Sequence, residues 1–315
     1  MTELTVTTRA ELAGRSALDQ VIGAWLADLD DTTADTRLTY GRLAGRFARW
    51  HAAAGGGPVT GSGVRAWLAS VGGSPSTRNL HLAALRSFCR WALRSGHLDA
   101  DPTEGVRGAR LKGAKLHKRD AFTPAEVGRM LELCQLDPRP VGARDGAVLA
   151  LMAFMALRTV EIQRADVGDV GTHAGRRVLY IRGKGAEDAP VPGVVPDPCW
   201  RYVERWLELR PGAADAGPLV TTLAGPAGPG GGRLSRRTIR AIIEGRKAAA
   251  EVDTSRGRKV TAHSLRHSAI TRVLTRGGTL RQAQALARHA SLSTTEVYLH
   301  ELDRFADAPE DLVTW

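Results

Sequence analysis

Cysteine is scarce in this 315-residue chain: Cys89, Cys134 and Cys199 stand far apart, with no CxxC pair among them. That excludes a disulfide framework and a cysteine-rich zinc site, and no metal is implied. Long apolar runs are missing too. The longest, Ala147 to Leu157, is far short of the ~20 residues that a membrane span needs. The N-terminal stretch MTELTVTTRAEL is charged and has no apolar core, so it is not a signal peptide. A cytoplasmic protein without a membrane partner is expected. Internal repeats are absent. Lysine is rare, confined to Lys112, Lys115, Lys118, Lys184, Lys247 and Lys259, so arginine supplies most of the positive charge.

What is present is ordinary globular composition, 43% hydrophobic and 24% charged, enough for two modest domains. Lys plus Arg number 44 against 33 Asp plus Glu, a net charge of +11. The surplus is uneven: residues 1–108 carry +2, residues 109–120 carry +4, and residues 121–315 carry +5. A basic peak of this kind points to a polyanion, most simply a nucleic acid.

The first hundred residues read as helices. Leu43, Phe47 and Trp50 fall at i, i+4 and i+7, with Arg42, Arg46 and Arg49 on other faces. Gly55-Gly56-Gly57-Pro58 ends that helix, and Val64–Val71 forms a second. Ser76 is the expected cap of a third, whose buried side is Leu85, Phe88, Trp91 and Ala92. Residues 109–120 are a linker by composition, and Lys112, Lys115, Lys118 and Arg119 are its candidate phosphate contacts. Thr123-Pro124-Ala125-Glu126 is a capping box that opens the second domain, 121–315. The helix expected at Gly142–Leu157 is apolar nearly all round, hence central. Arg177–Arg182 alternates like a strand, Gly183-Lys184-Gly185 turns, and Ala189–Val191 returns as its partner. Residues 211–233 read as a Gly/Pro-rich loop with a short strand at Leu219-Val220-Thr221, and helical patterns resume at Ser235.

Six elements then occur in order: Arg158 in ALRTVE, Lys184 in the GKG turn, His263 and Arg266 in HSLRH, His289 in HAS, and Tyr298 in TTEVYLH. Together they resemble the tyrosine recombinases, the phage integrase family, along the whole second domain. The stretch SPSTRNLHLAALRSFCRWALRSG is similar to that family's helical core-binding domain. The resemblance implies a mainly α protein, with a helical N-terminal core-binding domain and a mostly helical catalytic domain holding a small β-sheet. A chain that starts with its core-binding domain is expected to be a Xer-like or transposon-type recombinase.

The resemblance also implies roles. Tyr298 would attack the scissile phosphate and form a 3′-phosphotyrosyl link. Arg158 and Arg266 would each offer paired donors to its non-bridging oxygens. Lys184 would protonate the leaving 5′ oxygen, His263 would assist proton transfer at the nucleophile, and His289 would donate to the phosphate. The bond energy is conserved, so neither cofactor nor metal is called for. His263 and Arg266, three apart, share a face if that segment is helical. Ser293-Thr294-Thr295-Glu296 is a further capping-box pattern, placing Tyr298 in the first turns of a helix. Glu161, three residues after Arg158, is positioned to orient that guanidinium. The expected partners are double-stranded DNA with specific recombination sites, a homotetramer on synapsed DNA, and accessory proteins. A strand-relaxing type IB topoisomerase and a DNA-binding protein without catalysis are the rivals. Two positions depart from the family pattern, Ala156 and Arg288, where glycine is usual. That costs little where the backbone does not need positive φ, and Arg288 would then add a phosphate contact.

Overall fold

The computed structural model describes residues 17–30, 32–110, 120–183, 189–211, 217–225, 228, 230–255 and 257–298. The chain divides into two compact units, Met1–Gly113 and Ala114–Trp315. Lys112, Lys115, Lys118 and Arg119, together with Lys184 of the expected turn and the residues after Tyr298, lie outside the described residues.

The first unit contains α1 (Ala17–Ala27), α2 (Ala34–Ala53), α3 (Gly61–Ser70) and α4 (Pro75–Arg94). Hydroxyl caps start three of them: Thr33, Thr60 and Ser74 accept from the N–H groups of Thr36, Gly63 and Thr77. Ser74, not Ser76, caps α4, because Pro75 with its fixed φ takes the first helical position. After α2 the chain turns on Gly55 and Gly56, both at positive φ. The stripe expected on α2 is buried at Leu43 and Phe47. Aromatic edges and faces organise this core: Trp25 meets Phe88 edge-on at 5.4 Å, and Phe47 meets Trp67 at 6.1 Å. Such pairs contribute roughly 0.5–1.5 kcal/mol each beyond the area they bury.

The second unit contains α5 (Pro124–Leu136), α6 (Pro140–Met155), α7 (Thr159–Arg164), a 3₁₀ turn (Val167–Asp169), strands β1 (Val170–His173), β2 (Arg176–Ile181) and β3 (Val191–Val194), and then α8 (Asp197–Leu209), α9 (Arg236–Ala249), α10 (Ala262–Thr275) and α11 (Leu280–Ala287). Residues 293–298 are again helical. The Thr123 capping box forms as read, with Glu126 accepting from the Thr123 N–H at 2.8 Å. The helix α6, apolar nearly all round save for the pair Arg144 and Asp145, is the central helix and packs against α5, α8, α9 and α10. The sheet is antiparallel in the order β1-β2-β3, in register Val170↔Leu179 and Val178↔Val194. Ala174 and Gly175, both at positive φ, make the tight β1–β2 turn. The partner of β2 therefore begins where the expected strand 189–191 ends. At Leu219-Val220-Thr221 the described residues form only isolated bridges, Asp166↔Pro218 and Thr221↔Arg233, instead of a strand. Around the aliphatic core runs a set of arginine–carboxylate pairs: Arg258 with Glu126, Arg246 with Asp145 and Asp137, Arg182 with Asp169, and Arg233 with Asp166. No described helix is long and apolar enough to cross a membrane.

Candidate active site

The site is built where the central helix ends. Met155 is the last residue of α6, and Ala156 follows in a left-handed conformation, φ 51°. That turn redirects the chain so that Arg158 caps the next helix, α7. Glu161, one turn into α7 and almost fully buried, reaches back. Its Oε2 accepts from the Arg158 N–H at 2.7 Å, and its Oε1 accepts from the Arg158 guanidinium at 2.7 Å. The expected orienting contact is thus present.

His263 and Arg266 lie in the first turns of α10, three residues apart, and line one cleft of about 680 Å³ together with Arg158. The cleft meets the N-terminal, electropositive end of α10. Arg236 and Arg240, one turn apart on α9, line it as well. Nothing in their local sequence marks them beyond an i, i+4 arginine pair. His263 is exposed, whereas Arg266 is only 1% exposed. The Arg266 guanidinium donates to the carbonyls of Ala156 and Ala287, tying the end of α6 to the end of α11. Burial, and then the charge of Arg158, push Arg266 down to about 9, so it stays a cation at neutral pH. Clustered guanidiniums of this kind repel one another until an anion arrives.

Arg288 follows α11 in a left-handed conformation, φ 51°, and His289 comes next. The condition under which replacing glycine costs little is therefore unmet at both Ala156 and Arg288. Each non-glycine residue there carries roughly 1 kcal/mol of backbone penalty. Nor does Arg288 project as a phosphate contact. Its side chain folds back onto Glu161 at 2.9 Å and onto the carbonyls of Leu286, Met155 and Ala156 at 2.9, 3.3 and 3.1 Å. Burial raises the Glu161 carboxyl, but Arg288 and Arg158 outweigh it and hold the group below the usual carboxylate range.

His289 Nδ1 lies 2.9 Å from the Thr295 hydroxyl, and its ring is 6.5 Å from that of Tyr298. Tyr298 is 3% exposed and sits in a small apolar cluster with Ala156, Ala269, Ile270, Ala283 and Ala287. Its ring packs on His267 at 4.8 Å, a neighbour that motif reading did not single out. Two other neighbours of Tyr298, Ala156 and Ala287, are the residues whose carbonyls Arg266 holds. The helical segment carrying it begins at Ser293, so Ser293 is inside the helix instead of capping it. The structure thus groups Arg158, His263 and Arg266 in one cleft, and places His289 and Tyr298 beside Arg266. The base of the hairpin that bears Lys184 is anchored to the same unit: Arg164 donates to the Gly183 carbonyl at 2.6 Å, and Arg182 to Asp169 at 2.7 Å.

The sequence profile of the phage integrase family matches residues 120–304, the stretch that carries all of these groups. The chain belongs to the phage integrase family. It is Xer-like: the tyrosine recombinase XerC of Corynebacterium efficiens is 31% identical over 242 residues, covering 75% of this chain and 72% of that one. Among solved structures, the XerH site-specific recombinase bound to a palindromic difH substrate after cleavage superposes with a TM-score of 0.66 at 18% identity, covering 94% of this chain and 85% of that one. A lambda integrase tetramer bound to a Holliday junction gives 0.63 at 16% identity, covering 89% and 76%. The mainly helical fold with its small antiparallel sheet is the fold of these tyrosine recombinases.

Proposed function

We propose that this recombinase cleaves and rejoins DNA at specific sites with Tyr298 as nucleophile. The observation that carries the reading is the cleft that brings Arg158, His263 and Arg266 together, with Tyr298 packed against Ala156 and Ala287, the two residues whose carbonyls Arg266 holds. A phosphodiester entering there meets the positive charge of Arg158 and Arg266, whose remaining N–H groups would serve its non-bridging oxygens, which gain negative charge as the phosphorus becomes pentacoordinate. The Tyr298 oxygen bonds to phosphorus and its proton passes toward His263. The 5′ oxygen leaves with a proton from Lys184, and His289 donates to the phosphate. The resulting 3′-phosphotyrosyl ester is then attacked by the 5′ hydroxyl of another strand, which releases Tyr298 and closes the new backbone. Two such rounds, separated by a Holliday junction, recombine two duplexes. Four copies of the chain act together on synapsed sites, a reading supported by the likeness to the lambda integrase tetramer. Residues 109–120, with Lys112, Lys115, Lys118 and Arg119, track the phosphate backbone between the two domains, and the setting is the cytoplasm, acting on a mobile element.

A nicked suicide substrate tests this. The wild type should trap a covalent protein–DNA adduct that Tyr298→Phe does not form, and EDTA should leave the yield unchanged. An adduct formed by Tyr298→Phe would overturn the assignment.

A further inference from the structure

Arg288 occupies a backbone conformation that glycine adopts freely, so its side chain has to offset a penalty that glycine would not carry. The contacts show where that side chain acts. Both terminal nitrogens are fully used: one donates to Leu286 O and Met155 O, the other to Ala156 O and to Glu161 Oε2. Only 15% of the side chain is exposed, and its remaining donor, the Nε–H, is buried, so it has no room for a phosphate. These acceptors belong to two separate places in the sequence. Leu286 is on α11, three residues before His289, whereas Met155, Ala156 and Glu161 flank Arg158.

We propose that Arg288 is a positioning residue of the cleavage reaction: it clamps the end of α11, which carries His289, to the α6–α7 junction, which carries Arg158, and holds Glu161 between the two guanidiniums. Glu161 has two oxygens and three donors, the Arg158 N–H, the Arg158 guanidinium and Arg288. With Arg288 on Oε2, the carboxylate cannot rotate without breaking a charged bond, so Oε1 stays aimed at Arg158. The two positions where this chain lacks glycine are thus one device, since the carbonyl of Ala156 accepts from Arg288 itself. Arg266 shares that carbonyl, which places Arg288 one bond away from the second phosphate-facing arginine as well.

This inference rests on the recombinase reading, and single-turnover cleavage of the suicide substrate by the full chain separates the two. If the wild type forms no Tyr298-dependent adduct, the recombinase reading fails. If it does form one, Arg288→Gly is the decisive variant, because glycine suits the left-handed backbone and keeps the fold. The cleavage rate is expected to fall about 10- to 100-fold, as on loss of an outer partner of a reacting group, with DNA affinity unchanged. Arg288→Lys keeps the charge but not the fork, so it should be slowed less. Combining Arg288→Gly with Glu161→Gln should lower the rate no further than the worse single change. Wild-type cleavage by Arg288→Gly, a loss of DNA affinity in place of rate, or fully multiplicative effects in the double variant would each overturn the proposal.

Discussion

The two units of this protein are held together by different chemistry. In the first, rings do the work: Trp25 against Phe88, Phe47 against Trp67, Trp50 against Trp67. In the second, a mostly aliphatic core around α6, with Trp206 and Phe122 in it, is encircled by arginines bonded to buried carboxylates, Arg258 to Glu126 and Arg246 to Asp145 among them. Both solutions bury apolar area, but the second leans on ionised carboxylates, whereas the first buries the imidazole of His81, whose pKa burial lowers. The arginine count of the sequence therefore overstates the charge available to DNA. In the second unit many guanidiniums are spent on structure.

The sharpest way to break this contrast is to remove a ring. Phe47→Ala should destabilise the first unit by about 3–5 kcal/mol, seen as faster amide exchange there while the second unit keeps its protection. Arg258→Ala should do the converse. It strands the Glu126 carboxylate, for a loss of about 3 kcal/mol confined to the second unit. Acid probes the same pair. The hydrogen bonds from Arg258 hold Glu126 down to about 2, below its unfolded value of 4.5. A depressed carboxylate stabilises the fold above its unfolded pKa, so that stability is lost as pH falls from about 4.5 toward 2. Hydrogen exchange should show the second unit loosening across that window before the first, and equal loosening of both would erase the distinction. The smallest effect is expected at Ala156→Gly, which relieves the left-handed strain and should raise the second unit's stability by roughly 0.5–1 kcal/mol.

Local chemistry was legible in the sequence wherever the deciding contacts are a turn apart. The Thr123–Glu126 capping box, the nearly all-apolar α6, the shared face of His263 and Arg266, and the reach of Glu161 back to Arg158 all depend on residues three or four apart. Errors arose where two neighbours competed or where pairing decided. Pro75 moved the start of α4, and β1, with Gly171 in only four residues, carries too little alternation to announce itself. The part of the site that stayed hidden is long-range. Arg288 meets a carboxylate 127 positions away, and no local pattern encodes that. The usual glycines at 156 and 288 were a usable signal for left-handed backbone, but only the structure shows that both turns are needed and that they touch.

The most deeply packed helix of the second unit ends at the proposed active site, and the carbonyls at that end are the ones Arg266 and Arg288 hold. Heating therefore has no soft spot to melt first at this point. The terminal turn of α6 is tied from two sides, by Arg266 of α10 and by Arg288 after α11, so its opening is expected to need more than the fraying of a free helix end. Loss of cleavage on heating is therefore expected to track the unfolding of the second unit and not to precede it, which activity and unfolding measured on one temperature ramp would check.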